Sequence, residues 1–272
     1  ECTTLKGAKK YVNEWLQSRA DEELSAWTVQ LEAKALGKLY GIEPDDEDYF
    51  KPPKRNWEDI KRSRSDCVRD EHFSKMNNDE LIKFCRGTGL RCRELGELRG
   101  KDLVRCEQIA ADAAQLEQIP EEERAPSVTK RLEMLRDAML FPQEWFVHVR
   151  NGKGGRERLS PIIGKNAAQI VERIADTPAE EKVWQHIHTS ADIHAYRAEY
   201  ATAIYKAYAR PIEEIPYDRV NKGTGKRFQG DVYTCRKDGA GKKLDKAAML
   251  LCSKVLGHNR ISVVADNYIR GL

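Results

Sequence analysis

Leu256-Gly257-His258-Asn259-Arg260-Ile261-Ser262-Val263-Val264-Ala265-Asp266-Asn267-Tyr268 sets a histidine after a Leu-Gly turn, then a short apolar run, then a lone tyrosine almost at the chain end. In isolation the stretch is ordinary: a Gly-His turn can close a helix, and a tyrosine can cap a core. Three other stretches change its meaning. Thr88-Gly89-Leu90-Arg91-Cys92-Arg93-Glu94-Leu95 places an arginine in a Gly-preceded turn that enters a helix. Asn151-Gly152-Lys153-Gly154-Gly155-Arg156 places a lysine in a glycine hairpin. His194-Ala195-Tyr196-Arg197 places a histidine and an arginine three apart, on one helix face.

In chain order the set is Arg, Lys, His-x-x-Arg, Leu-Gly-His, Tyr, spread over residues 88–268. This set resembles the tyrosine recombinases, the integrases of phages and conjugative transposons. The resemblance implies Arg91, Lys153, His194, Arg197, His258 and Tyr268 as catalytic residues, with Glu94 supporting Arg91 from behind. It implies a helical core-binding domain that clamps DNA (1–68, in a short version) and a catalytic domain (69–272), mainly α with a small antiparallel β-sheet. It also implies double-stranded attachment-site DNA as partner, assembly as a dimer or tetramer on that DNA, and accessory excision or host DNA-bending proteins. The place would be a bacterial cytoplasm, at the nucleoid.

The chemistry explains the residue types. Attack on a phosphodiester builds negative charge on the non-bridging oxygens, so fixed positive donors must wait there. Guanidinium groups stay charged and match two oxygens in one plane, which suits Arg91 and Arg197. A tyrosine hydroxyl, with a reference pKa of about 10, needs a base as it attacks; His194 is the candidate. By resemblance Lys153 gives the leaving 5′ oxygen its proton and His258 donates to a phosphate oxygen. The 3′-phosphotyrosine stores the bond energy, so rejoining requires neither metal nor ATP, and no cofactor is expected. His186-x-His188 is better read as a strand pair with one imidazole buried than as a metal site. Two departures from the family stand out. Tyr268 is one residue farther from His258 than is common, and one residue turns a helical side chain by roughly 100°. Only four residues follow Tyr268, where relatives exchange a C-terminal segment between neighbours. The chain starts at Glu1, as a fragment would, and an arm-binding domain can precede it.

Composition sets the bounds. The 272 residues, 40% hydrophobic and 33% charged, allow one large domain or a small one plus a larger one. No apolar run approaches the length of a membrane span, and no signal peptide is visible. Seven scattered cysteines without a Cys-x-x-Cys pair argue for reduced thiols. Net charge is only +3, so clustering matters more than the total. One cluster is Lys61, Arg62 and Arg64. A larger one runs over Arg219, Lys222, Lys226, Arg227, Arg236, Lys237, Lys242 and Lys243, opposed by Asp231 and Asp238. Its glycines exclude a stable helix, so a basic β-hairpin or mobile loop is expected, and single-signed charge attracts phosphates.

The pattern predicts helices over 4–19 (apolar stripe Leu5, Ala8, Val12, Trp15, Leu16), 24–40, 79–87 (capped by Asn77 or Asn78), 166–175, 190–208 (capped by Ser190) and 244–256. Strands are expected over 144–150 and 156–162. The stretches 104–141 and 209–243 read as insertions. Two other functions share parts of this pattern. A type IB topoisomerase would relax supercoils as a monomer without site preference; a non-catalytic DNA-binding relative would keep the fold and lose the residue set.

Overall fold

The computed structural model describes residues 4–54, 73–220, 222–236, 240–258 and 260–269. The chain divides into two compact units, Glu1–Arg62 and Ser63–Leu272, a few residues before the division at 68 that the sequence suggests. Lys61, Arg62, Arg64 and Lys237 lie outside the described residues. Among the described residues about 51% are helix and 12% strand, the strands in small antiparallel sheets, so the fold class is mainly α with minor β.

In the first unit, Thr4 caps α1 (Leu5–Ala8), a 3-10 turn covers Lys9–Tyr11, and α2 (Val12–Asp21) follows. The single helix expected over 4–19 is therefore interrupted. Leu5 ends 70% exposed. Trp15 is also exposed, because the small core of Val12, Leu16 and Ala33 uses only the Val12–Leu16 line; the Arg19 guanidinium sits 5.5 Å from its ring instead. The Ser25 hydroxyl accepts from Thr28 N to start α3 (Ala26–Tyr40), and Gly41 ends it.

The second unit is built around a three-stranded sheet of order β1-β2-β3, from β1 (Leu103–Arg105), β2 (Trp145–Gly152) and β3 (Arg156–Pro161). Side chains alternate across a strand, and here each face meets its own core. Phe146 and Leu159 join one core with Ile109, Leu132, Tyr200, Ile204 and Met249. Val147 and Val149 join the other with Phe84, Leu90, Leu95, Ile170 and Ile174. Each fully buried Leu, Ile or Phe contributes about 1.5–3 kcal/mol.

The helices that flank this sheet are α4 (Asp79–Thr88), α5 (Cys92–Glu97), α6 (Cys106–Glu117), α7 (Pro126–Ala138), α8 (Ala167–Ala175) and α9 (Ile193–Tyr208). Two caps differ from expectation. Asn78 precedes α4 but its amide donates to Ser74 O at 2.8 Å rather than capping. Asp192, not Ser190, caps α9: its Oδ1 accepts from Ala195 N at 3.0 Å, so the helix starts at Ile193. His186 and His188 are not in a strand. His188 packs edge-on to Phe73 at 5.0 Å, and its Nδ1 accepts from Ser190 N.

Two small two-stranded antiparallel pairs follow, β4 (Arg219–Val220) with β5 (Arg227–Phe228) and β6 (Val232–Thr234) with β7 (Lys243–Asp245). The chain closes with α10 (Lys246–Val255) and α11 (Ile261–Asn267). Among the described residues no helix is long and apolar enough to cross a membrane.

Candidate active site

Glycine conformations place two of the site's side chains. Gly89 ends α4 at φ +61°, where an L side chain is strained, and a Cβ there would lie 2.3 Å from the Tyr200 ring. The chain thus turns tightly, and Arg91 opens α5 as its N-terminal flanking residue. Gly257 ends α10 at φ +66° and delivers His258.

Arg197 follows from helix geometry. Its neighbours Tyr196 and Ala198 enter different cores, so Arg197 emerges at the seam between them, 1% exposed.

Glu94 is the hub. Its carboxylate accepts from Arg91 N (2.8 Å) and Arg91 Nη1 (2.7 Å), and takes both terminal nitrogens of Arg158 at 2.9 and 2.7 Å. Arg197 Nη1 stands 4.0 Å away. Burial alone would raise the Glu94 pKa, but the Arg158 hydrogen bonds and charge, then Arg197 and Arg91, outweigh it and hold the pKa at about 2. Glu94 is therefore a carboxylate at any working pH.

The end of α10 supplies the other acceptors. The last carbonyls of a helix lack intrahelical partners and carry the negative end of its dipole. Val255 O accepts from Arg158 Nε at 2.8 Å, Gly257 O from Arg156 Nη1 at 3.2 Å, and Leu256 O from Arg91 Nη2 at 3.1 Å and also from Arg197. Arg197 donates as well to Gly89 O. Its Nε is buried without an acceptor.

Three guanidinium groups thus share one carboxylate, and the excess charge is positive. Two like charges about 5 Å apart repel by roughly 3 kcal/mol at a protein-like dielectric. Burial first, then Arg158 and Arg91, lower the Arg197 pKa to about 9. Burial, followed by the charges of Arg197, Arg91, Arg158 and Arg156, lowers His258 to about 4, so His258 is neutral at pH 7. Its Nε2 lies 3.5 Å from Arg91 Nη2, a contact at the limit of hydrogen-bond length.

Tyr268 follows α11 and is 5% exposed. Its ring is 5.1 Å from that of His194, 5.2 Å from that of His258, and 5.4 Å from the Arg197 guanidinium. The additional residue between His258 and Tyr268 does not swing the phenol away. Tyr268 leaves helical geometry at φ −121°, while its N still donates to Val264 O. Tyr196, Tyr200 and Tyr205 are buried core residues.

The structure therefore brings together Arg91, Glu94, His194, Arg197, His258 and Tyr268. Lys153 stands apart, exposed at the tip of the β2–β3 turn, on the hairpin whose return strand carries Arg156 and Arg158. Arg219, Lys222, Lys226, Arg227, Arg236, Lys242 and Lys243 are exposed along the two small hairpins. Among the described residues no group of three or more His, Cys, Asp or Glu is placed to hold a metal.

Sequence reasoning missed Arg158. The available signal was the Arg156-x-Arg158 spacing, which puts both guanidinium groups on one face of β3.

No model of a known protein family matches the chain, and no curated protein matches it.

Proposed function

We propose that the chain is a site-specific DNA recombinase of the tyrosine recombinase kind, integrating or excising a mobile element through a 3′-phosphotyrosine intermediate. One observation carries this reading: a phenol flanked by two imidazoles and a guanidinium, beside a buried cluster with more positive charge than its single carboxylate can balance. Such a cluster is a preorganised anion site. Here the anion is a backbone phosphate and the phenol is its nucleophile.

In the mechanism, Arg91 and Arg197 receive the non-bridging oxygens, and Glu94 with Arg158 holds Arg91 in place. Tyr268 Oη attacks phosphorus as His194 takes its proton. Lys153, on its glycine turn, closes over the bound DNA and protonates the departing 5′ oxygen. Neutral His258 carries a ring N–H to donate to a phosphate oxygen. The reverse attack by a 5′ hydroxyl of another strand rejoins the DNA, so neither ATP nor a metal is consumed. The basic hairpins contact the duplex, the N-terminal unit also grips the DNA, and copies of the chain pair on the DNA at the nucleoid of a bacterial cell.

The test is incubation of the protein and of Tyr268→Phe with nicked duplexes carrying candidate attachment sites, followed by a denaturing gel. The wild type is expected to give a covalent protein–DNA band, and Tyr268→Phe to bind DNA without one. A band that persists in Tyr268→Phe overturns the assignment. Supercoil relaxation by a monomer without site preference would place the chain among the type IB topoisomerases instead.

A further inference from the structure

The β4–β5 hairpin is fixed at its base, and its four strand residues are exposed. Gln229 Nε2 donates to Ile215 O at 2.7 Å and Ile212 O at 3.2 Å, and the Asp218 carboxylate accepts from Gly230 N at 3.3 Å. Ile215 beneath is 1% exposed. Beyond this anchor both faces of the ribbon are exposed. Arg219 lies opposite Phe228, and Val220 opposite Arg227, so each face presents one guanidinium beside one apolar side chain. Phe228 is 43% exposed and Val220 53%.

A two-stranded ribbon with neither face packed is marginal in water. Its composition names the occupant. Four cations lie between residues 219 and 227, and the adjacent acid, Asp218, is engaged at the anchor. The partner is therefore a polyanion. Strands lie about 4.8 Å apart, so the ribbon with its side chains matches the major groove, about 12 Å wide, which admits two-stranded ribbons. Arginine forks onto guanine O6 and N7, and apolar groups meet the thymine methyl. Each face carries one side chain suited to each kind of contact.

We propose that the β4–β5 ribbon enters the major groove of the bound duplex and reads base edges there, with Arg219, Arg227, Val220 and Phe228 as specificity-determining residues. This rests on the reading of the chain as an enzyme that acts on duplex DNA. It goes further, because phosphate contact alone carries no sequence information.

The experiment selects duplexes from a random pool with the full chain carrying Tyr268→Phe, and with the same chain carrying Arg219→Ala and Arg227→Ala. The parent is expected to enrich a motif, and the ribbon variant to lose a contiguous block of about three to five base pairs from it. Replacing guanines in that block by 7-deazaguanine, which removes only a major-groove acceptor, should weaken the parent about tenfold or more and leave the variant unchanged. A third chain, Phe228→Ser, keeps the charges and should lose thymine preference while retaining its salt dependence. The same full motif from parent and ribbon variant, with affinity lowered equally for all sequences, overturns the proposal in favour of phosphate contact. A change in oligomeric state without DNA, with the motif intact, overturns it in favour of a second copy of the chain. The enriched duplex, given a nick, is also offered to the wild type. A motif that depends on the ribbon without any covalent band sinks the recombinase reading while sustaining the ribbon as a reader.

Discussion

Two groups of arginines in one chain behave in opposite ways. Arg91, Arg158 and Arg197 surround a buried carboxylate and the carbonyls that end α10, and Arg197 is 1% exposed. Arg219 and Arg227 are exposed on a ribbon with water on both faces. The first group is held by its hydrogen bonds and is less screened by salt, so its charge is ready for a reaction and its cost is carried by the fold. The second is screened and adjustable, which suits finding and gripping a partner. The same side chain thus serves rigidity in one place and attraction in another, and burial decides which.

The largest expected effect breaks the buried half. Arg158→Met removes both fork contacts to Glu94 and should cost about 3–5 kcal/mol of stability, read from the urea midpoint. A loss below about 1 kcal/mol would mean that Glu94 is held well enough by Arg91 alone. Next, Arg91→Ala or Arg197→Ala should slow formation of the covalent band about 10²–10³-fold while DNA affinity changes little. The exposed half should invert that pattern. Arg219→Ala with Arg227→Ala should leave the cleavage rate of bound DNA intact but lower affinity for the preferred sequence by about 1–3 kcal/mol per arginine and relax the preference there, with the slope of log affinity against log salt little changed.

The motif stretches were legible because glycine turns and helix spacing are local. Gly89, Gly257 and the His194-x-x-Arg197 spacing each read correctly, as did the two hairpin strands, since each depends on neighbours in the chain. Arg158 was not legible as a partner of Glu94, because 64 residues separate them and only the packing of α5 against β2, to which β3 is paired, brings them together. Ser190 and Asp192 are both good caps, and the choice between them depends on where α9 packs. Leu5 and Trp15 were assigned to a core that in this short unit has room for a single narrow line of side chains.

A smaller effect sharpens the account of the buried cluster. In the unfolded chain His258 binds a proton near pH 6.5; in the folded chain it refuses one until about pH 4. Between these values the unfolded state holds more protons, so stability should fall as pH falls from 6.5 to 4. His258→Asn should flatten that part of the profile, as thermal melts would record. An unchanged slope would show that neither burial nor the guanidinium charges disfavour the protonated imidazole.

The most direct measurement is to digest the covalent protein–DNA product and locate the nucleotide-bearing peptide by mass. A nucleotide joined through its 3′ phosphate to Tyr268 is the predicted result. A nucleotide on any other residue, or on Tyr268 through a 5′ phosphate, would contradict the convergence of Arg91, Arg197, both imidazoles and the phenol on one phosphate.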